Sequence, residues 1–345
     1  MAYLQANVKE ELYIELPEDY RNSCDQVGRL QKAIYGLVHA GLLWSKKFSA
    51  ELAAKGFEQC QADPCVFRRV LRGKVVVIIM VYVDDLLVAS ETKRDEEQVV
   101  NDLRSCFPIK DLGEAGFYLG CCITRDRDAG TLKFDQHHYI RTMASKFSVE
   151  KTSTTPAAAG TKPLSKDDAS QTEAETEEMH VTPYREALGA LMWAATMTRP
   201  DVAYAAHQLG KFNNSGPAHW RAAKRALQYL KDVGITYGRA PGSCTKLSAW
   251  VDADFATCTD TRRSISGGAV MLGGARSSVG SRGCRSCQDD DHPFQQQAHL
   301  DVKYHIVRDA VESGIVRIHY VKSGEQHADV LTKALDINTF ETHAR

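Results

Sequence analysis

The chain has 345 residues, of which 43% are hydrophobic and 25% charged, and its formal net charge is −1. At roughly 150 residues per domain there is room for two or three domains and a sizeable core, and the composition excludes a collagen-like rod, a coiled coil and a wholly disordered chain. Near-neutrality also excludes a strong overall field that would pull the molecule onto nucleic acid or membrane.

The N-terminal stretch MAYLQANVKEELY is polar and acidic, so no secretory leader is predicted. The ten cysteines are scattered along the chain and read as reduced thiols of a cytoplasmic or nuclear protein. The longest apolar run, residues 75–83, is well short of the ~18 residues of a membrane span. No membrane partner is expected.

Residues 30–57 are predicted as a helix, because Leu37, Ala40, Trp44, Phe48 and Leu52 recur at threes and fours. Residues 74–91 read as strand, tight turn, strand, with branched and aromatic side chains on both sides of an Asp-Asp pair. A second helix is predicted over 95–107, with Val99, Leu103 and Phe107 on one side. Residues 151–182 are rich in Thr, Ser, Ala, Pro and acid, lack an apolar period and read as a linker. Residues 184–197 form a buried helix rich in Ala, Leu and Met. Residues 219–231 form an amphipathic one, with Trp220, Ala223, Leu227 and Leu230 as its stripe and Arg221, Lys224 and Arg225 off it. Those basic residues are either a solvated face or a grip on phosphates. Residues 183–240 carry eight basic and three acidic side chains, net +5, so the overall neutrality hides a basic block. A further boundary is expected near Pro241-Gly242-Ser243.

The strongest chemical feature is Tyr82-Val83-Asp84-Asp85. Adjacent carboxylates at a hairpin tip repel each other unless a cation neutralises them, and Asn-Gly or Asp-Gly would suit the turn better. A plain acidic turn is one reading. The other is a site for Mg²⁺, which takes hard oxygen ligands and binds through one or two carboxylates plus substrate phosphates. Two such ions about 4 Å apart can stabilise the attacking and leaving oxygens of a phosphoryl transfer. A zinc module at Cys284-x-x-Cys287 with His292 and His299 is a weaker alternative, since the surrounding Ser, Arg and Gln supply no core. His207, His219 and His305 read as structural, and adjacent Cys121 and Cys122 as strand residues that do not bridge each other.

Several strings occur in one order: AYLQANVKEELYIELP (2–17), LQKAIYGLVHAGLLWSKKF (30–48), YVDDLLVAS (82–90), YREALGALMWAATMTRPDVAYA (184–205), HWRAAKRALQYL (219–230), WVDADFATCTDTRRSISG (250–267) and ADVLTKAL (328–335). This collinear set resembles the reverse transcriptase and ribonuclease H region of copia-type LTR retrotransposon Pol polyproteins. The resemblance implies an α+β chain. Residues 1–150 would be polymerase fingers and palm, 151–182 a linker, 183–240 a helical thumb or connection, and 241–345 a truncated ribonuclease H-like α/β domain. It implies Asp84 and Asp85 as catalytic, Mg²⁺-binding acids, Tyr82 beside the primer terminus, and Arg221, Lys224 and Arg225 against the duplex. Asp252 and Asp329 would be metal-binding acids of the ribonuclease H site, and Asp254 structural. The implied partners are an RNA or DNA template–primer and dNTPs.

Departures from the pattern bear on activity. The family's first palm acid would precede the alanine matching Ala2, ahead of Met1. The usual Gly-Leu-Lys-Gln-Ala-Pro-Arg is Gly36-Leu37-Val38-His39-Ala40-Gly41-Leu42 here. Beyond Gln288 the expected Glu-bearing helix and Asp-Asn strand are missing, and the chain runs through Asp289-Asp290-Asp291-His292 instead. Two readings therefore stand side by side: an RNA-directed DNA polymerase with a degenerate ribonuclease H, or an inactive retroelement relic that holds nucleic acid without chemistry. The missing acids predict weak polymerisation and no ribonuclease H cleavage.

Overall fold

Alanine and aromatic residues four apart build the first helix. Helix α1 (Ala40–Ala54) buries Ala40, Trp44, Phe48 and Leu52 along one stripe. It is shorter than the helix predicted over 30–57. The backbone of the preceding residues is engaged elsewhere: the Leu30 amide donates to the Leu12 carbonyl, that of Ala33 to Ala6, and Asn7 bridges Lys32. Gly36, at φ +96°, then turns the chain in a conformation that only glycine adopts without strain.

These are features of a computed structural model that describes residues 1–20, 26–230, 233–238, 247–255, 257–272, 275–283 and 310–344. The chain divides into two compact units, Met1–Tyr118 and Leu119–Arg345. Residues 119–150, expected with the N-terminal block, thus belong to the second unit.

In the first unit, β1 (Tyr13–Glu15) pairs antiparallel with β2 (Val27–Arg29). A four-stranded antiparallel sheet follows in chain order, from β3 (Glu58–Gln59) through β4 (Val66–Leu71) and β5 (Lys74–Tyr82) to β6 (Asp85–Ser90). Although β5 is apolar after Lys74, its burial is uneven. Val77 and Ile79 enter the core while Val75 and Ile78 stay exposed. That core also takes Phe67 from the sheet, Trp44, Phe48 and Leu52 of α1, and Val99 and Leu103 of helix α2 (Lys93–Cys106). Thr92 caps α2 by accepting the Asp95 amide through its hydroxyl, which explains a start slightly before the predicted one. Arg69 stacks over Phe57 and pairs with Asp102 at 2.5 Å, tying the sheet to α2. The unit ends in the short strand β7 (Phe117–Tyr118).

The second unit opens with β8 (Cys121–Asp126) and β9 (Thr131–Asp135), which pair antiparallel, and β10 (Ile235–Gly238) adds to β9. Its helical core is alanine-rich. Helices α3 (His137–Lys146), α5 (Tyr184–Met197), α6 (Ala203–Leu209) and α7 (Pro217–Tyr229) meet through Phe147, Ala187, Ala190, Leu191, Ala206 and Ala223. Helix α5 has the predicted bounds. Helix α7 starts earlier than predicted, because Pro217 occupies the first turn, where a missing N–H does no harm.

Residues 151–182 do not form the featureless linker that their composition suggests. Helix α4 (Glu173–Val181) lies within them, Thr155 and Ser165 are buried, and Ala157, Leu164 and Met179 pack against the helical core. Several of the Ser and Thr side chains are satisfied within their own turns. Thr155 Oγ1 donates to Ala157 O, and Ser165 and Asp168 close a capping box. A composition poor in apolar residues can therefore still be ordered.

The chain continues into an antiparallel sheet of β11 (Ser248–Asp254), β12 (Ile265–Leu272) and β13 (Ala275–Gly283). A 3₁₀ turn at Asp329–Leu331 and helix α8 (Ile337–Ala344) share a core with Ala269, Tyr229 and Val202. The boundary expected near Pro241, the Cys284/Cys287/His292/His299 cluster and His305 lie outside the described residues.

Candidate active site and nucleic-acid interface

The acidic hairpin forms as the sequence predicts. Tyr82 pairs with Asp85, so Val83 and Asp84 are the two loop residues between β5 and β6. Val83 has φ +52°, a left-handed conformation that is strained for a β-branched side chain by about 1–3 kcal/mol. The strain is held from outside the hairpin. The indole N–H of Trp44 donates to the Val83 carbonyl at 2.9 Å. Trp44 is fixed in turn by ring contacts with Phe48 and Phe107, each with centroids 5.2 Å apart.

Asp84 in the loop and Asp85 at the start of β6 are consecutive exposed residues at this tip, and Tyr82, across from Asp85, is 60% exposed. The Asp84 carboxylate is not bare. The Tyr35 hydroxyl lies 2.8 and 2.9 Å from its two oxygens, the Ala2 amide donates at 3.2 Å, and the Met1 amino group is 3.4 Å away. Burial pushes the Asp84 carboxyl up, but Tyr35, Ala2 and the amino group together outweigh it and hold the carboxyl below its usual range. Asp84 is therefore ionised at neutral pH. Tyr35 and Trp44, which hold the tip, were not predicted as site residues. Tyr35 falls in a stretch with helical periodicity, and Trp44 reads as core; nothing in spacing marks a side chain that reaches a distant turn.

A second carboxylate pair comes together in the other unit. Asp252 on β11 and Asp329 at the start of its 3₁₀ turn share one cation: Lys333 Nζ lies 3.6 Å from Asp252 and 3.3 Å from Asp329. Thr332 Oγ1 donates to Asp252 at 2.5 Å. Gly267 makes the approach possible. It pairs with Asp252 across the sheet, and a Cβ there would meet Leu331 Cβ at 2.7 Å. Burial chiefly, and then Asp252, raises the Asp329 carboxyl above its usual range against the pull of Lys333. Burial lowers Lys333, but the two acids outweigh it and keep the ammonium above its usual range. Lys333, four residues after Asp329 on the same turn, was legible in the sequence as a candidate partner but was not singled out.

On α7 the three basic residues differ. Arg221 is exposed. Lys224 lies over the Trp220 ring at 5.5 Å, and Arg225 donates to Thr155 Oγ1 at 2.9 Å, so both are half-buried and engaged within the unit. His219 is fully buried, accepts the Gly216 amide and contacts Ser165 O, which makes it the structural residue expected. Cys121 and Cys122 lie on β8 as free thiols.

Several known proteins are similar to this chain. The reverse transcriptase (RNA-dependent DNA polymerase) family matches residues 1–160. The Pol polyprotein of transposon TNT 1-94 from Nicotiana tabacum is 29% identical over 99% of this chain and 30% of its own length. That of transposon RE2 from Arabidopsis thaliana is 27% identical over 100% of the chain and 27% of its own length. The transposon Ty5-1 protein YCL074W of Saccharomyces cerevisiae is 30% identical over 79% of the chain and 88% of its own length.

The chain belongs to the reverse transcriptase family of copia-type retrotransposon Pol polyproteins. It spans about 30% of the length of the Pol polyproteins that it matches. As a reverse transcriptase domain it comes from a family that works on a nucleic-acid template with dNTPs and divalent metal. Its mixed helix-and-sheet architecture agrees with the α+β class expected. Among the described residues, no helix is long and apolar enough to cross a membrane.

Proposed function

We propose that Asp84 and Asp85 are the metal-binding acids of an RNA-directed DNA polymerase site, with Tyr82 beside the primer end. The observation that carries this reading is the strained, externally braced turn that sets two carboxylates at an exposed tip. Strain of this kind persists where the surrounding structure over-determines it, often at functional sites. The donor set fits a hard divalent cation such as Mg²⁺: both ligands are carboxylates, and Asp84 is held ionised by its neighbours. When bound, the cation would supply charge neutralisation for transfer of a nucleotidyl group. The chain's own residues hold the site. Tyr35 fixes the rotamer of Asp84, Trp44 fixes the turn, and the β5–β6 pairing fixes Asp85.

In the same reading, fingers and palm lie within 1–150, 183–240 is the thumb or connection and 241–345 a truncated ribonuclease H. Arg221 on α7 is then the most accessible phosphate contact of the three basic residues. The pairing of Asp252 with Asp329 supports descent from a ribonuclease H site, and carboxylate oxygens would suit a metal there too. Lys333 already offsets one charge of that pair, which favours a degenerate, inactive site. The alignment with the TNT 1-94 polyprotein runs over 396 positions, more than the 345 residues of this chain, so it carries gaps on this side. Gaps are what a lost middle segment would leave.

Primer extension on an RNA template with dNTPs and Mg²⁺ tests the assignment. Extension should vanish in Asp85→Asn, and extension that persists in that variant would refute it. Template–primer binding with no extension by the unaltered chain would favour the relic reading. Cleavage of an RNA–DNA hybrid that is lost in Asp252→Asn would overturn the degenerate ribonuclease H.

A further inference from the structure

The β8–β9 hairpin and the start of α3 gather a set of soft donors that the polymerase reading does not use. Cys122 lies on β8 directly across from Asp135, the last residue of β9. The chain then enters α3 through Gln136, and His137 and His138 are its first residues. The Cys122 sulfur and one nitrogen from each histidine all lie within 4.8 Å of one another. The edges of a tetrahedral zinc site with sulfur and nitrogen ligands are about 3.2–3.8 Å, from Zn–S and Zn–N bonds of about 2.3 and 2.0 Å. Small side-chain rotations would close the difference. Cys122 and His137 are half-buried, and His138 is exposed.

The shell behind the donors is already built. Asp135, with its side chain 5% exposed, lies 2.5 Å from His137 Nδ1. A carboxylate can only accept, so Nδ1 carries the proton and the lone pair of Nε2 is left for a ligand. A carboxylate that orients a histidine in this way is the usual second partner of a metal-bound imidazole. The same Asp135 accepts the His137 amide at 3.1 Å and pairs with Lys133 at 3.1 Å. Lys133 is thereby neutralised rather than left to repel a cation.

We propose that Cys122, His137 and His138 bind a zinc ion, with the fourth position open to water. The Cys122 thiol releases its proton to solvent on binding, and the thiolate sulfur and two imidazole nitrogens become ligands. Thiolate and imidazole together select a borderline-soft metal over Mg²⁺, so this site would not compete with the acidic hairpin for the same ion. The ion would clamp the β8–β9 hairpin to the first turn of α3.

The full chain, purified in reductant, stripped with chelator and titrated with Co²⁺, tests the proposal. One equivalent should produce a thiolate-to-cobalt charge-transfer band and tetrahedral visible absorption, both displaced by Zn²⁺. The band should be lost in Cys122→Ser and in His138→Ala, the latter an exposed position where folding is not at stake. Asp135→Asn should weaken zinc affinity by about 10–100-fold. Cys287→Ser should keep the band, which separates this site from the Cys-x-x-Cys pair farther along the chain. Absence of the band in the unaltered chain, its persistence in Cys122→Ser or His138→Ala, or its loss in Cys287→Ser would each overturn the proposal.

Discussion

Tyr35 and Asp84 show how one hydroxyl can set the state of a carboxylate far away in sequence. The Tyr35 hydroxyl reaches both Asp84 oxygens, and its own acidity is pushed the other way, chiefly by that same bond. Tyr35→Phe should therefore raise the Asp84 carboxyl toward the ordinary value, readable by carbon-detected NMR titration, while the fold stays intact. An unshifted Asp84 would mean that Ala2 and the amino group suffice. Arg199 and Asp201 are a second case. They form a buried bidentate pair at 3.0 and 2.7 Å, and the Tyr229 hydroxyl donates to the same carboxylate at 2.5 Å. Asp201→Ala would strand a buried guanidinium and should cost about 3–5 kcal/mol in denaturant melts. The string TRPDVAYA contains both residues, but their adjacency in sequence says nothing of burial.

At the scale of elements, what the sequence made legible was periodicity, and what it hid was reach. Helices α2 and α5 announce themselves through Val99 and Leu103, and through Ala187, Ala190, Leu191 and Ala194, because a stripe of apolar residues is a local property. The residues before α1 also looked periodic, yet their amides were claimed by Ala6 and Leu12, which no local pattern reveals. The 165–168 turn escaped notice for the converse reason, since polar residues that satisfy one another leave no apolar signature. That turn should depend on pH. Chiefly through the Ser165 amide, Asp168 is held below the usual carboxylate range. A carboxyl lowered in the folded state contributes stability above its unfolded value of about 3.9, and the contribution fades as pH falls through the lower folded value. Asp168→Asn should thus cost about 0.5–1 kcal/mol at pH 7 and less near pH 2. Equal melting differences at both values would contradict the mechanism. Gly267→Ala acts through the sheet instead. It should push the Asp329–Leu331 turn off β12 and lower stability by about 1–3 kcal/mol.

For the whole molecule, the sum of charges was the least informative number and their distribution the most. A net of −1 conceals the +5 block of residues 183–240, and α7 puts Arg221 of that block at the surface. Binding to a template–primer should weaken steeply as salt rises, and Arg221→Gln should make the slope of log affinity against log salt shallower by about one. An unchanged slope would remove Arg221 from the interface. The division into units was the part of the organisation least visible beforehand. Composition marked the change at 151, whereas the chain divides at Tyr118 and Leu119, because compactness follows contacts that composition does not encode.

Because Val83 adopts an unfavourable backbone under the hold of the Trp44 indole, the acidic tip cannot be transplanted by itself. A peptide carrying only strands β5 and β6 would lack the bracing helix and relax into another loop, scattering its two carboxylates. Any minimal version of this acidic corner must bring α1 along, and the corner should assemble late in folding, once that helix has docked.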